Sequence, residues 1–180
     1  MYKKLFLILF SIHFLLGSNQ NIRQDNELDV LNNLELRIKN NSYALTALIK
    51  PTVEDFDINS SKDLPILVES ASSVLEQLNI LKRLIQNIKY AHQVSKQSDR
   101  NDNQTLSFLN NQVKYINSNM KMYNGFNKVF LSLIEYDGFK NLIDINNDCS
   151  ELSKTAHLIT VNMINNIKSE SNSVIKEKII

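Results

Sequence analysis

The sequence predicts an all-α fold, an antiparallel bundle of four long amphipathic helices, and three observations carry that prediction. Apolar residues recur every three and four positions over four long stretches, the spacing of a helix that buries one face. Helix breakers are scarce, with three glycines and two prolines in 180 residues. Past residue 20 they fall between the periodic stretches or at their ends. No run alternates apolar and polar residues as a half-buried strand does.

The chain opens on Lys3 and Lys4, an apolar run from Leu5 to Leu16 interrupted by Ser11 and His13, and the small residues Gly17 and Ser18. That order, basic then apolar then small, is that of a secretory signal peptide, here residues 1–20 with cleavage between Gly17 and Gln20. A membrane span needs about 20 apolar residues, more than this run supplies. Residues 21–180 then form a single helical-bundle domain, long enough for its own core. The expected location is secreted, with no transmembrane span in the mature chain.

The first helix is predicted from about Glu27 to Lys50, with Leu31, Leu34, Ile38, Leu45, Leu48 and Ile49 on one face. Pro51 ends it by removing a donor and clashing with the preceding turn. After a polar loop, Asp63 is placed to cap a second helix with Pro65 in its first turn. That helix carries Leu67, Ala71, Val74, Leu75, Leu78, Leu81, Ile85 and Ile88 toward Lys96. The third starts near Gln104, with Leu106, Leu109, Val113, Ile116, Met120 and Tyr123 at heptad-like spacing. It either continues past Gly125 through Phe130, Leu133 and Ile134 or breaks there, which would make five helices. Asp137-Gly138 signals a turn, and Ile145, Cys149, Leu152, Ala156, Ile159, Met163 and Ile167 stripe the fourth helix. Short links and one apolar face per helix point to a bundle, since no single helix can bury its stripe alone.

Charge and composition exclude several functions. The formal charge of +1 becomes −1 once Lys3 and Lys4 are removed, which leaves no electrostatic footprint for nucleic acid. Cys149 is the only cysteine, so no intramolecular disulfide is possible, and its apolar setting reads as a small core residue. His92 and His157 fall on different helices, each read as a partly exposed position. No spacing assembles a hydrolase triad, and the expected class is not an enzyme, with no cofactor.

Asp55, Asp57, Asn59, Ser61 and Asp63 alternate like calcium-loop oxygens. The sixth position, however, is Ser60 where the turn needs Gly, and the twelfth is Ile66 where a bidentate Glu is needed. No metal site is expected. Glycosylation sequons stand at Asn40, Asn59 and Asn103, of which Asn59 and Asn103 fall in predicted loops and are the candidate sites.

Three segments carry a family likeness. LELRIKNNSYALTALI from Leu34 to Ile49, DLPILVESASSVLEQL from Asp63 to Leu78, and LIEYDGFKNL from Leu133 to Leu142 resemble the fungal hydrophobic surface-binding protein A family, which includes the cell-wall galactomannoproteins. Ala44-Leu45-Thr46, Leu64-Pro65-Ile66 and Phe139 match its short motifs. Pro51-Thr52 stands where that family commonly has a Gly pair, and Asn141-Leu142 also departs. The resemblance implies a secreted or wall-associated bundle that adsorbs to hydrophobic surfaces or holds fatty acid between its helices. The charged ending KEKII and the lack of a Ser/Thr-rich stalk favour a soluble form.

The function expected is therefore non-enzymatic binding of a fatty acid or similar lipid in an apolar cavity, or of hydrophobic surfaces or cell wall, by a monomer or dimer. Leu75, Leu78, Val113, Ile116, Met120, Phe130, Ile159 and Met163 are the candidate chain contacts. Tyr123 is the candidate hydroxyl for a carboxylate. The alternative is a secreted adhesin or effector whose solid bundle binds a host or cell-surface protein through an exposed apolar patch.

Overall fold

The four periodic stretches form four helices: α1, Gln24–Ile49; α2, Leu64–Ser95; α3, Asp102–Leu131; and α4, Phe139–Glu177. The computed structural model describes residues 24–50, 64–97, 101–135 and 138–177, with no strand among them. The signal peptide, the Asp55–Asp63 loop, the Asp63 cap and Asn59 lie outside the described residues.

Local chemistry sets the boundaries. Pro65 occupies the first turn of α2, where its missing N–H leaves no intrahelical bond unmade. Asn101 caps α3, its side chain accepting from the Gln104 backbone N–H at 3.1 Å. That cap starts α3 at Asp102, so Asn103 stands exposed in the first helical turn rather than in the expected loop. The helix ends in a tightened turn, with Ser132 N–H donating to the Val129 carbonyl and Leu133 N–H to the Phe130 carbonyl. Gly138 reverses the chain at φ +86°, and α4 begins at the next residue.

Gly125 neither breaks nor ends α3, so the described residues form four helices and not five. It faces solvent, and a Cβ built there meets nothing within 4 Å. Its presence only weakens the helix interior through backbone entropy. Gly125→Ala is accordingly expected to raise the unfolding free energy by about 0.5–1 kcal/mol, measurable by urea denaturation.

Cross-helix side-chain bonds order the neighbours. Lys89 Nζ bonds Glu35 Oε2 at 2.7 Å and His92 Nδ1 lies 3.3 Å from Glu27 Oε2, so the contacts step forward along α2 as they step back along α1. Asn87 bonds Gln112, and Asn119 bonds Gln77, between α2 and α3. Asn146 bonds the Tyr123 carbonyl, Ser153 bonds Asn119, and Ser171 bonds Asp102, between α4 and α3. Arg37 and Asn41 of α1 both reach Asp148 of α4. The α3–α4 seam is the most extensive, and α2 also meets α4 across the middle of the bundle.

The seams enclose one core. Leu31, Leu34, Ile38 and Leu45 of α1 meet Leu78, Leu81, Ile85 and Ile88 of α2, Leu109 and Ile116 of α3, and Leu152, Ala156 and Ile159 of α4. Burying each large side chain contributes about 1.5–3 kcal/mol, so the paired stripes, far more than helix propensity, hold the helices. Cys149 is fully buried within this core, and burial, with the nearby Asp148 charge, pushes its thiol up to about 12. A thiol so placed is an inert packing group.

Candidate functional site

The nine residues nominated for a ligand all lie on the inner seams. Leu78, Ile116, Tyr123 and Ile159 are fully buried, Phe130 and Met163 nearly so, while Leu75, Val113 and Met120 are half-buried and pack against the core. Phe130 is further held by rings on both sides, stacked on Phe126 with centroids 5.8 Å apart and edge-on to Phe139 at 6.1 Å. These side chains spend their apolar surface on one another. Of the nine, only Met163 also lines one of the two surface clefts described below.

Tyr123 presents a different problem. Its ring is fully buried, and its hydroxyl finds no acceptably placed hydrogen-bond partner among the described residues, although Asn119 and Cys149 lie beside it. Burial drives its pKa far upward, so the group stays a neutral phenol. Since a buried, unbonded hydroxyl has lost its water for nothing, Tyr123→Phe is expected to be neutral or stabilising by up to about 1 kcal/mol in urea denaturation. A clear destabilisation would instead mean that the hydroxyl is bonded.

Beside the apolar seams runs an amide network that the apolar pattern did not reveal. Asn119 donates to the Gln77 carbonyl at 3.0 Å and accepts from the Ser153 hydroxyl at 2.9 Å, tying α2, α3 and α4 at one level. Asn146, fully buried, donates to the Tyr123 carbonyl and to Asn127. Asn87 and Gln112 repeat the bond one level along the α2–α3 seam.

That seam opens outward into a groove of about 400 Å³. Ile80, Arg83 and Leu84 of α2 form one wall, and Gln112, Tyr115 and Ser118 of α3 the other. Tyr115 is 61% exposed and begins an outer apolar strip on α3. Met122, Phe126 and Val129 follow at steps of seven, four and three residues, which places them on one helix face. Met122 and Val129 are exposed and Phe126 is half-buried. The strip runs about 21 Å along α3, and exposed Leu131 and Ile134 lie just beyond its end.

A second cleft, of about 260 Å³, opens where α1 begins. Glu27 and His92 face each other there, 2% and 4% exposed. His92 was expected to be partly exposed; it is buried because it continues the Leu81, Ile85, Ile88 series of α2 by one more turn. Burial raises the Glu27 carboxyl to about 7, against the opposing pull of the Lys96 charge. Burial likewise lowers the His92 pKa, with Lys96 acting in the same direction. His157, in contrast, is half-exposed on α4.

Among the described residues no three His, Cys, Asp or Glu side chains are grouped to hold a metal. No helix among them is long and apolar enough to cross a membrane. No protein-family model, curated protein or solved structure matches the chain.

Proposed function

We propose that the chain is a secreted, non-enzymatic recognition bundle that docks a protein partner along the outer apolar strip of α3 and the adjoining α2/α3 groove. The strip carries this reading. A monomer gains nothing from a one-sided line of Tyr115, Met122 and Val129 held in water, and an apolar strip rimmed by polar residues marks a protein-binding face. Tyr115 is the expected anchor, because it belongs to both strip and groove and combines a large apolar ring with a polar tip. The straight, 21 Å course suits a partner helix laid alongside, its own apolar positions three and four residues apart.

The test places a photo-crosslinking residue at position 115 and, as a control, at exposed position 151. Extracellular proteins of the natural setting are then presented to both. The proposal expects one identifiable partner captured at 115, competed by unlabelled protein, and absent at 151. Tyr115→Ala with Met122→Asp should weaken that partner's binding at least about ten-fold, about 1.4 kcal/mol, while leaving folding stability within about 0.5 kcal/mol. Binding untouched by the double variant overturns this assignment.

A second reading keeps the lipid expected from the family resemblance, with an acyl chain between the helices and its carboxyl at Tyr123. What favours it is the buried hydroxyl of Tyr123, which makes no well-formed hydrogen bond among the described residues and has only Asn119 and Cys149 beside it. Organic extraction of the purified protein followed by mass spectrometry separates the two. Stoichiometric fatty acid supports the second, and a blank removes it.

A further inference from the structure

At the end of the bundle remote from Gly138, the cleft between α1, α2 and α4 holds a buried carboxyl that its own fold leaves half-used. Glu27 Oε2 faces His92 Nδ1 at 3.3 Å, whereas Oε1 has no hydrogen-bond partner among the described residues. A buried carboxyl oxygen without a donor is costly, so it marks a place where something else supplies one. We propose that this cleft is a binding site for a small organic cation, a primary ammonium group carried on a short alkyl stem.

The walls fit such a ligand. Glu27 offers the acceptor Oε1, and Asn166 of α4 lines the same space with a further acceptor oxygen. Met163 and Ile167 supply an apolar wall for the stem. The cleft volume of about 260 Å³ equals roughly eight or nine waters at about 30 Å³ each, room for an amine of five or six heavy atoms. An ammonium brings three donors and a charge, which a carboxylate bonds more strongly than it bonds a neutral donor. His92, kept neutral by burial, adds no competing charge. Lys96, exposed at the cleft, is the resident cation whose charge already acts on Glu27, and an ammonium ligand would bind at Oε1 alongside it.

Protonation of Glu27 removes the charge partner. Affinity should therefore be highest above neutrality and fall as pH drops through about 7, where the Glu27 carboxyl takes up its proton. Lys96, His92 and Glu170 are the other titratable groups that line the cleft. This site is independent of the α2/α3 face, and either assignment can fail alone.

The test titrates n-butylammonium chloride into the full chain and follows backbone amide and His92 ring resonances by NMR. n-Butanol and sodium butyrate serve as the neutral and anionic matches. Saturable shifts centred on Glu27, His92 and Asn166 are expected with the ammonium alone, and its affinity should weaken between pH 8 and pH 6. Glu27→Gln should weaken it at least ten-fold, and Asn166→Phe, which fills the cleft from a half-buried position without touching the carboxyl, should do the same. Thermal melts confirm that both variants fold, and failure of one leaves the other to decide. No saturable shift at millimolar amine, equal binding of n-butanol, or unchanged affinity in folded Glu27→Gln would each overturn the assignment and leave water as the cleft's only occupant.

Discussion

Ile116→Ala is expected to lower the unfolding free energy by about 3–4 kcal/mol, the largest loss from any single truncation considered. Ile116 is fully buried at the middle of α3, inside the core cluster to which all four helices contribute. Removing its outer carbons forfeits their transfer out of water and leaves a cavity that rigid helices on every side close poorly. Equilibrium urea denaturation measures the loss. The same experiment bears on function, because Ile116 is among the side chains that a lipid between the helices would touch. A solid core pays the full penalty regardless of added fatty acid. A ligand-filled seam would pay less, and the deficit would shrink further when fatty acid is supplied. A loss below about 1 kcal/mol would show that Ile116 is not tightly packed.

Gly138→Ala follows at about 3 kcal/mol, from two separable causes. At φ +86° an L side chain is strained by about 1–2 kcal/mol. An added Cβ would also stand 2.5 Å from Leu67 Cδ2, so that buried side chain of the α2 core would have to shift. Overpacking of that kind adds about 1–3 kcal/mol. A double-mutant cycle separates them. In a Leu67→Ala background the clash disappears, and the Gly138→Ala penalty should fall to the backbone share of about 1–2 kcal/mol. An equal penalty in both backgrounds would assign the whole effect to φ. The contrast with Gly125 is instructive, since one glycine is required by geometry and the other is merely tolerated.

The helices were legible because periodicity is a direct record of which face leaves water. Leu31, Leu34 and Ile38, or Leu78, Leu81 and Ile85, announce their burial by spacing alone. Boundaries were less legible where a polar side chain set them. Asn101 begins α3 through a single cap bond, and nothing distinguishes it in sequence from the other polar residues of the run Gln97–Asn103. The clefts are hard to read from sequence for a related reason. Glu27 lies four residues before Leu31 and His92 four after Ile88, so both occupy the buried stripe, but a search confined to apolar letters stops one turn short of each. Gln112, Asn119, Asn146 and Ser153 sit on buried stripes in the same way. Polar residues at core spacing were thus the overlooked signal, and which of them bond one another depends on helix pairing that spacing does not encode. The outer strip of Tyr115, Met122 and Val129 was hidden differently, since the inner stripe of the same helix dominates the pattern.

Asn119 shows what such a group does to the mechanics of the molecule. One amide clasps three rods at a single height, so α2, α3 and α4 cannot slide past each other by a turn without orphaning donors and acceptors in a dry interior. Among the described residues α1 takes no part in that clasp; it is tied to α2 by Glu35 with Lys89 and by the buried Glu27–His92 pair, and to α4 by Arg37 and Asn41 at Asp148. Local loosening of α1 would leave the clasp intact, whereas displacement of α2, α3 or α4 breaks it. The Glu27–His92 cleft lies where α1 meets α2 and α4, so whatever occupies it would also hold the start of α1 in place.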